Sequence, residues 1–268
     1  GLGAPEVYRE NIFHFRAGDA VDRKSFMRKL VELQFTRTTS DLKRGTYRLR
    51  GDNWEIMPPD REVIYNFELK GGKIMKIYEV DPVRGFQPGT TPTLPEIFIA
   101  PAKHFITMAP ERERAIKAIR AELKEQLAYF GKHRKFLEAE RLERRTKTDV
   151  AMMREIGYCH GIENYSRHLS GRAPGEPPET LLDYFAHGGN GEFLTVIDES
   201  HMTVPQLRGM YEGDASRKQT LIEYGFRLPS AADNRPLKFP EFERKVGQVL
   251  YTSATPGSYE KKKSTQTV

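Results

Sequence analysis

The sequence has a single cysteine and a single tryptophan in 268 residues, and no apolar run long enough to span a bilayer as a helix. The lone thiol, Cys159, excludes an internal disulfide and suits a reducing, cytoplasmic setting. His160 beside it and His168 further on supply too few thiolates for a structural zinc site, so a buried structural cysteine is expected. The chain opens Gly1-Leu2-Gly3, without a start methionine, a basic n-region, an apolar h-region or a lipidation site. It reads as an excised piece with no membrane partner. A strong excess of one charge sign is also lacking. The net charge is +6, and Lys261, Lys262 and Lys263 in a terminal run account for much of it. That balance permits nucleic-acid binding without demanding it.

What is present falls into three blocks. The first, to about Pro101, reads as mixed α and β. Residues 20–35 carry Val21, Phe26, Leu30 and Leu33 at amphipathic helical spacing, with Asp19 as the expected N-cap. Alternation then predicts strands through Tyr47 and Leu49, through Trp54 and Ile56, and through Val63, Tyr65, Phe67 and Leu69. Gly71-Gly72 predicts a hairpin turn into residues 74–80, and Asp81-Pro82 ends that strand. Residues 85–95 read as a loop. In the second block Ile116, Ile119, Leu123, Leu127, Phe130 and Leu137 form one apolar stripe on a long helix. The basic run 141–147 reads either as a solvated helix face or as a phosphate-tracking one. Residues 171–178, rich in glycine and proline, mark a boundary loop. In the third block, residues 193–197 and 249–251 read as strands buried on both faces of a parallel sheet. A helix is expected over 216–224, closed by Gly225.

The chemistry concentrates at Asp198-Glu199-Ser200-His201. A buried strand that ends in two adjacent carboxylates places them where open α/β sheets bind ligands. Hydrolysis of a nucleoside triphosphate needs one carboxylate for the magnesium shell, here Asp198, and one to orient or deprotonate water, here Glu199. The plainer alternative is a helix N-cap pair. The second strand ends in Thr252-Ser253-Ala254-Thr255, and superfamily-2 helicases pair their Walker B box with a coupling motif written almost this way. No glycine-rich loop ending in Gly-Lys-Ser/Thr occurs anywhere in the chain, so it is not expected to bind or hydrolyse ATP unaided.

Long strings carry a more specific likeness. Residues 163–172 (Glu-Asn-Tyr-Ser-Arg-His-Leu-Ser-Gly-Arg), 174–178, 198–201, 223–230, 233–237 and 253–257 closely resemble the UvrB family, the helicase-like subunits of bacterial nucleotide excision repair. The likeness implies a fold: a partial RecA-like lobe of the P-loop NTPase, superfamily-2 helicase type, with a helical subdomain and an inserted α+β UvrA-docking domain. It also implies boundaries: 1–10 as the edge of the first helicase lobe, 11–101 as the UvrA-interaction insert and 102–179 as the helical subdomain. The remainder of the lobe follows at 180–260, and 261–268 is expected to be a disordered, non-family tail. Asp198 and Glu199 then stand as catalytic, Asp198 holding magnesium through water in the parent protein, and Ser253 and Thr255 as motor-coupling residues. ATP and magnesium are the parent protein's cofactors, and none is expected for the fragment.

The family's UvrA contact maps onto Arg37, Arg48, Arg50 and Glu68. Parity alone places Arg48, Arg50 and Glu68 on an exposed face, which an ordinary solvated sheet would also show. A further docking arginine of the family aligns with Asn66 here. UvrA, UvrC and damaged DNA are the implied partners. Two other readings stand beside this one. One is a non-enzymatic UvrA-docking module like that of the transcription–repair coupling factor, against which the 198–201 box argues. The other is a generic superfamily-2 helicase or nuclease-associated ATPase, against which the 11–101 insert argues.

Overall fold

The computed structural model describes residues 2–103, 105, 107, 109–188 and 191–267. They form two compact units, Glu6–Ile106 and Gly1–Pro5 with Thr107–Val268. Within the first unit, α1 (Pro5–Glu10) leads to β1 (Phe13–Arg16) and α2 (Arg23–Glu32). The cap of α2 is Asp22, which accepts from the Ser25 amide at 2.8 Å, and not the expected Asp19. Asp19 instead accepts from the Arg16 amide at 2.8 Å and closes the turn after β1.

A six-stranded sheet follows in the order β2 (Thr36–Arg37), β3 (Thr46–Arg50), β4 (Asn53–Met57), β5 (Ile64–Lys70), β6 (Lys73–Val80) and β7 (Thr93–Leu94). All neighbours are antiparallel except β2 and β3. β8 (Glu96–Ile99) returns to pair with β1. Gly71 and Gly72 both adopt positive φ, 60° and 73°, as the two-residue turn from β5 to β6 requires. Alternation sends Tyr47, Leu49, Trp54, Ile56, Tyr65 and Phe67 to one side, where they pack with Phe26 and Leu30 of α2 and Phe15 of β1. Each such side chain contributes about 1.5–3 kcal/mol by leaving water. The other side carries Arg48, Arg50, Glu55, Asn66, Glu68 and Lys76, with Met57 and Val80 buried toward one end.

The second unit begins with α3 (Ala109–Lys132) and α4 (Phe136–Ile156). Arg154 near the end of α4 pairs with Glu113 near the start of α3, so the two helices run antiparallel. The single long stripe expected through Leu137 breaks at Arg134, whose φ is 58°, and Leu137 lies exposed on α4. Ile116, Ile119, Leu123 and Phe130 are buried as expected. α5 (Ser166–Ser170), α6 (Leu181–Gly188), β9 (Leu194–Ile197), α7 (Ser200–Glu223), α8 (Phe239–Lys245), β10 (Gln248–Tyr251) and α9 (Ser258–Lys263) follow. Residues 189 and 190, in the Gly-Gly-Asn-Gly stretch before β9, lie outside the described residues.

β9 and β10 form a two-stranded parallel sheet. The expectation of strands buried on both faces is not met: Leu194 and Val196 are 59% and 54% exposed, and Leu250 is exposed beside them. Among the described residues β9 has no strand neighbour but β10, and one face stays open. The helix expected over 216–224 starts sixteen residues earlier, because residues 202–214 join α7 without an apolar period that would betray them. Gly225 closes it at φ 69°, and a Cβ there would collide with the Glu138 backbone of α4. Lys261–Lys263, expected to be disordered, complete α9. Glu260 is buried there, Tyr259 packs on Phe239 and Tyr251, and Lys263 pairs with Glu243 at 2.9 Å. No helix among the described residues is long and apolar enough to cross a membrane.

Candidate functional site

Two places gather the residues singled out from the sequence. In the second unit, the parallel register sets Ile197 against Tyr251, so Asp198 and Thr252 leave the paired strands side by side. Two backbone bonds continue the pairing across the tip, Thr252 amide to Ile197 carbonyl and Ser200 amide to Thr252 carbonyl, each 3.0 Å. Thr252 Oγ1 donates to Asp198 Oδ1 at 2.6 Å, and the Glu199 amide donates to the same oxygen at 3.0 Å. Glu199 sits at φ 45°, ψ 49°, a left-handed conformation uncommon outside glycine, which turns the chain sharply from β9 into α7. Glu199 occupies the N-cap position of α7 but makes no side-chain capping bond there. His201 Nδ1 shares a 2.8 Å hydrogen bond with Ser253 Oγ and lies 3.4 Å from Glu199 Oε2. Ser253 Oγ also accepts from the Thr255 amide at 3.1 Å. Asp198, Glu199, Ser253 and Thr255 therefore meet at one strand tip, tied by Thr252 and His201, which the sequence reading named within its two motifs but gave no role. The register after each strand was the signal for Thr252.

The donor set at this tip is hard oxygen on an exposed carboxylate. That chemistry suits magnesium, which keeps several waters and binds through one or two carboxylates plus phosphate oxygens. Among the described residues no group of three histidine, cysteine or acidic side chains could hold a metal alone.

In the first unit, register lays two rows across the polar sheet face. One runs Arg48, Glu55, Asn66, Tyr78, and the next runs Arg50, Asn53, Glu68, Lys76. Arg48 Nε donates to Glu55 Oε2 at 2.7 Å and Nη1 donates to the Ser40 carbonyl at 3.1 Å. The Glu55 hydrogen bond, opposed by partial burial, raises the Arg48 guanidinium above its ordinary pKa, so its charge is permanent. Arg50 Nη2 donates to the Thr39 carbonyl at 3.1 Å. Both arginines thus clasp the loop of residues 38–41 and are held in defined positions. Asn66 Nδ2 donates to Asn53 Oδ1 at 2.8 Å, linking the rows. Arg48, Arg50 and Glu68 share one face. Arg37 does not: it is opposite Tyr47 in register, on the other side of the sheet, and its charge partly offsets the rise that burial imposes on the Tyr47 hydroxyl. Glu55 escaped the sequence reading, and its strand register was the signal.

An antiparallel sheet domain with one polar face, joined to a helical unit that carries a parallel strand pair with an acidic tip, defines a multidomain mixed α/β chain. Its first unit matches the model of the UvrB interaction domain over residues 13–105, and residues 110–171 match that of the UvrB third helical domain. Over its whole length the chain is 53% identical to the UvrABC system protein B of Carboxydothermus hydrogenoformans, covering 40% of that protein. Over 97% of its length it is 51% identical to the Geobacillus kaustophilus protein of that name and 50% identical to that of Bacillus subtilis, covering 39% and 38% of them. The chain belongs to the UvrB family. It spans about two fifths of the length of the curated relatives it matches.

Proposed function

We propose that this chain is part of a nucleotide excision repair subunit and that the polar sheet face of its first unit docks onto UvrA, the damage-sensing ATPase. The observation that carries the reading is the pair of register rows in which Arg48, Arg50 and Glu68 stand at fixed spacing on one face. Complementary charges so arranged steer encounter and fix register between partners. The second unit contributes part of a RecA-like, helicase-type lobe. Asp198 would hold magnesium through its water shell, Glu199 would orient or deprotonate the attacking water, and Ser253 and Thr255 would couple the nucleotide site to movement. Magnesium there would supply positive charge against a nucleotide's phosphates. With no Gly-Lys-Ser/Thr loop in its 268 residues, the chain itself binds no nucleotide.

For the longer protein the reading is a cytoplasmic subunit that receives damaged DNA from UvrA, verifies the lesion with an ATP-dependent motor and recruits the UvrC nuclease. The tie between Asp198 and Thr252 favours this over a docking module alone, which has no use for two strand tips locked together. The test is capture of the chain on immobilised UvrA, comparing wild type with Arg48→Ala and Arg50→Ala. Truncating one member of a desolvated interfacial charge pair costs about 2–5 kcal/mol. If both variants bind as wild type does, the docking assignment is wrong.

A further inference from the structure

We propose that this docking face extends past its charged rows to an aromatic anchor, Phe86 braced on Tyr78, and that it takes a protein surface offering an apolar recess beside its carboxylates. The inference rests on the docking reading above and adds the apolar contact that reading lacks. Register puts Tyr78 in line with Asn66, Glu55 and Arg48, so its ring rises from the arginine-bearing face. Three strand spacings separate it from Arg48, about 14 Å. Its hydroxyl donates to Glu68 Oε2 at 2.7 Å, which fixes the ring and orients the carboxylate together.

Phe86 meets the Tyr78 ring edge-on, with centroids 5.0 Å apart and planes at 84°, yet it stays 47% exposed. The loop that presents it is tightly bonded. Asp81 Oδ1 accepts from the Val83 and Arg84 amides at 2.7 and 3.0 Å. The Gln87 amide donates to Thr91 Oγ1 at 2.7 Å, and that hydroxyl donates back to the Gln87 carbonyl. A lone exposed apolar side chain needs no explanation. A ring held still at the far end of a row that carries an ordered guanidinium is different, because aromatic and arginine anchors within a polar rim are what protein interfaces concentrate. Nucleic acid fits less well, since Glu55 and Glu68 share the arginine rows and would repel phosphates.

The test is titration calorimetry of the 268-residue chain with purified UvrA at low and high salt, for wild type, Phe86→Ala, Phe86→Leu and Arg50→Ala, with a thermal melt of each. Phe86→Ala is expected to weaken binding roughly tenfold at both salt concentrations, as loss of an interface anchor does. Phe86→Leu recovers most of that loss, and melting is unchanged because the ring lies outside the core. Arg50→Ala loses affinity at both salt concentrations and more at low salt, where charge is least screened. Wild-type affinity in Phe86→Ala beside a weakened Arg50→Ala overturns the anchor and leaves the docking reading standing. Wild-type affinity in both overturns the docking reading itself.

Discussion

Glu122 on α3 holds three elements of the second unit together, and replacing it with glutamine should unfasten them. Its carboxylate shares a 2.7 Å hydrogen bond with His168 Nε2 on α5 and accepts from Arg167 Nη2 at 3.3 Å. It also accepts from the Ser230 amide at 2.7 Å, and Arg167 reaches on to Asp233 at 2.7 Å. Burial pushes the Glu122 carboxyl up, but the His168 and Ser230 hydrogen bonds and the nearby charges outweigh it, so the group lies below its ordinary pKa. Glutamine keeps the shape and one acceptor while removing the charge. Hydrogen bonds to charged groups contribute about 1.5–3 kcal/mol each, and a buried pair that loses one partner costs about 3–5 kcal/mol. With these side chains slightly open to water, about 3 kcal/mol is expected, or roughly 6–12 °C in melting temperature for a unit of this size. The assay is calorimetric melting across a pH series. Because the folded-state pKa is depressed, the stabilisation is fully present above the ordinary glutamate value of 4.5 and is lost as pH falls through the lower folded value. The gap between wild type and Glu122→Gln should therefore be widest near neutrality and shrink below pH 4.5. Equal melting temperatures near neutrality, or a gap that ignores acid, would refute the reasoning.

Gly225→Ala combines a left-handed backbone with a collision against α4, at about 1–2 and 1–3 kcal/mol respectively, and urea unfolding should show their sum. The Cys159 thiol, fully buried and pushed up to about 12 by burial and then by Asp149, should resist alkylation at mildly alkaline pH until the chain is unfolded in urea. Thr252→Val removes one exposed tie to Asp198, so the fold should keep its stability within about 1 kcal/mol while the amides around residues 198–200 exchange faster with solvent. Titration with magnesium and ATP should give no heat of binding, and a measurable affinity would contradict the assignment of a motor half without its phosphate loop.

The sequence disclosed the sheet unit well because its signals are local. Alternation through Tyr47, Leu49, Trp54 and Ile56 and the Gly71-Gly72 turn act over a few residues, and β3 to β6 fall where those signals put them. It served less well where the deciding contact lies far along the chain. The cap of α2 is a local exception: Asp22 holds it rather than Asp19 because the Ser25 amide lies within its reach. α3 and α4 divide at Arg134, a turn that no glycine or proline at that position announces. Neither Glu55 nor Thr252 is visible until strands are set in register, since each matters through its partner on the next strand. The half-open β9–β10 pair could not be told from a fully buried one, because apolar composition records a capacity for burial and not the neighbour that covers it.

Docking of UvrA on the Arg48- and Arg50-bearing face of the six-stranded sheet is the proposal on which the functional reading turns. Hydrogen–deuterium exchange of the chain alone and with saturating UvrA tests it directly. New protection is expected in the loop of residues 38–45 and along β3 to β5, the segments that carry and clasp Arg48, Arg50 and Glu68. Protection confined to residues 107–267, or none at all, would contradict it.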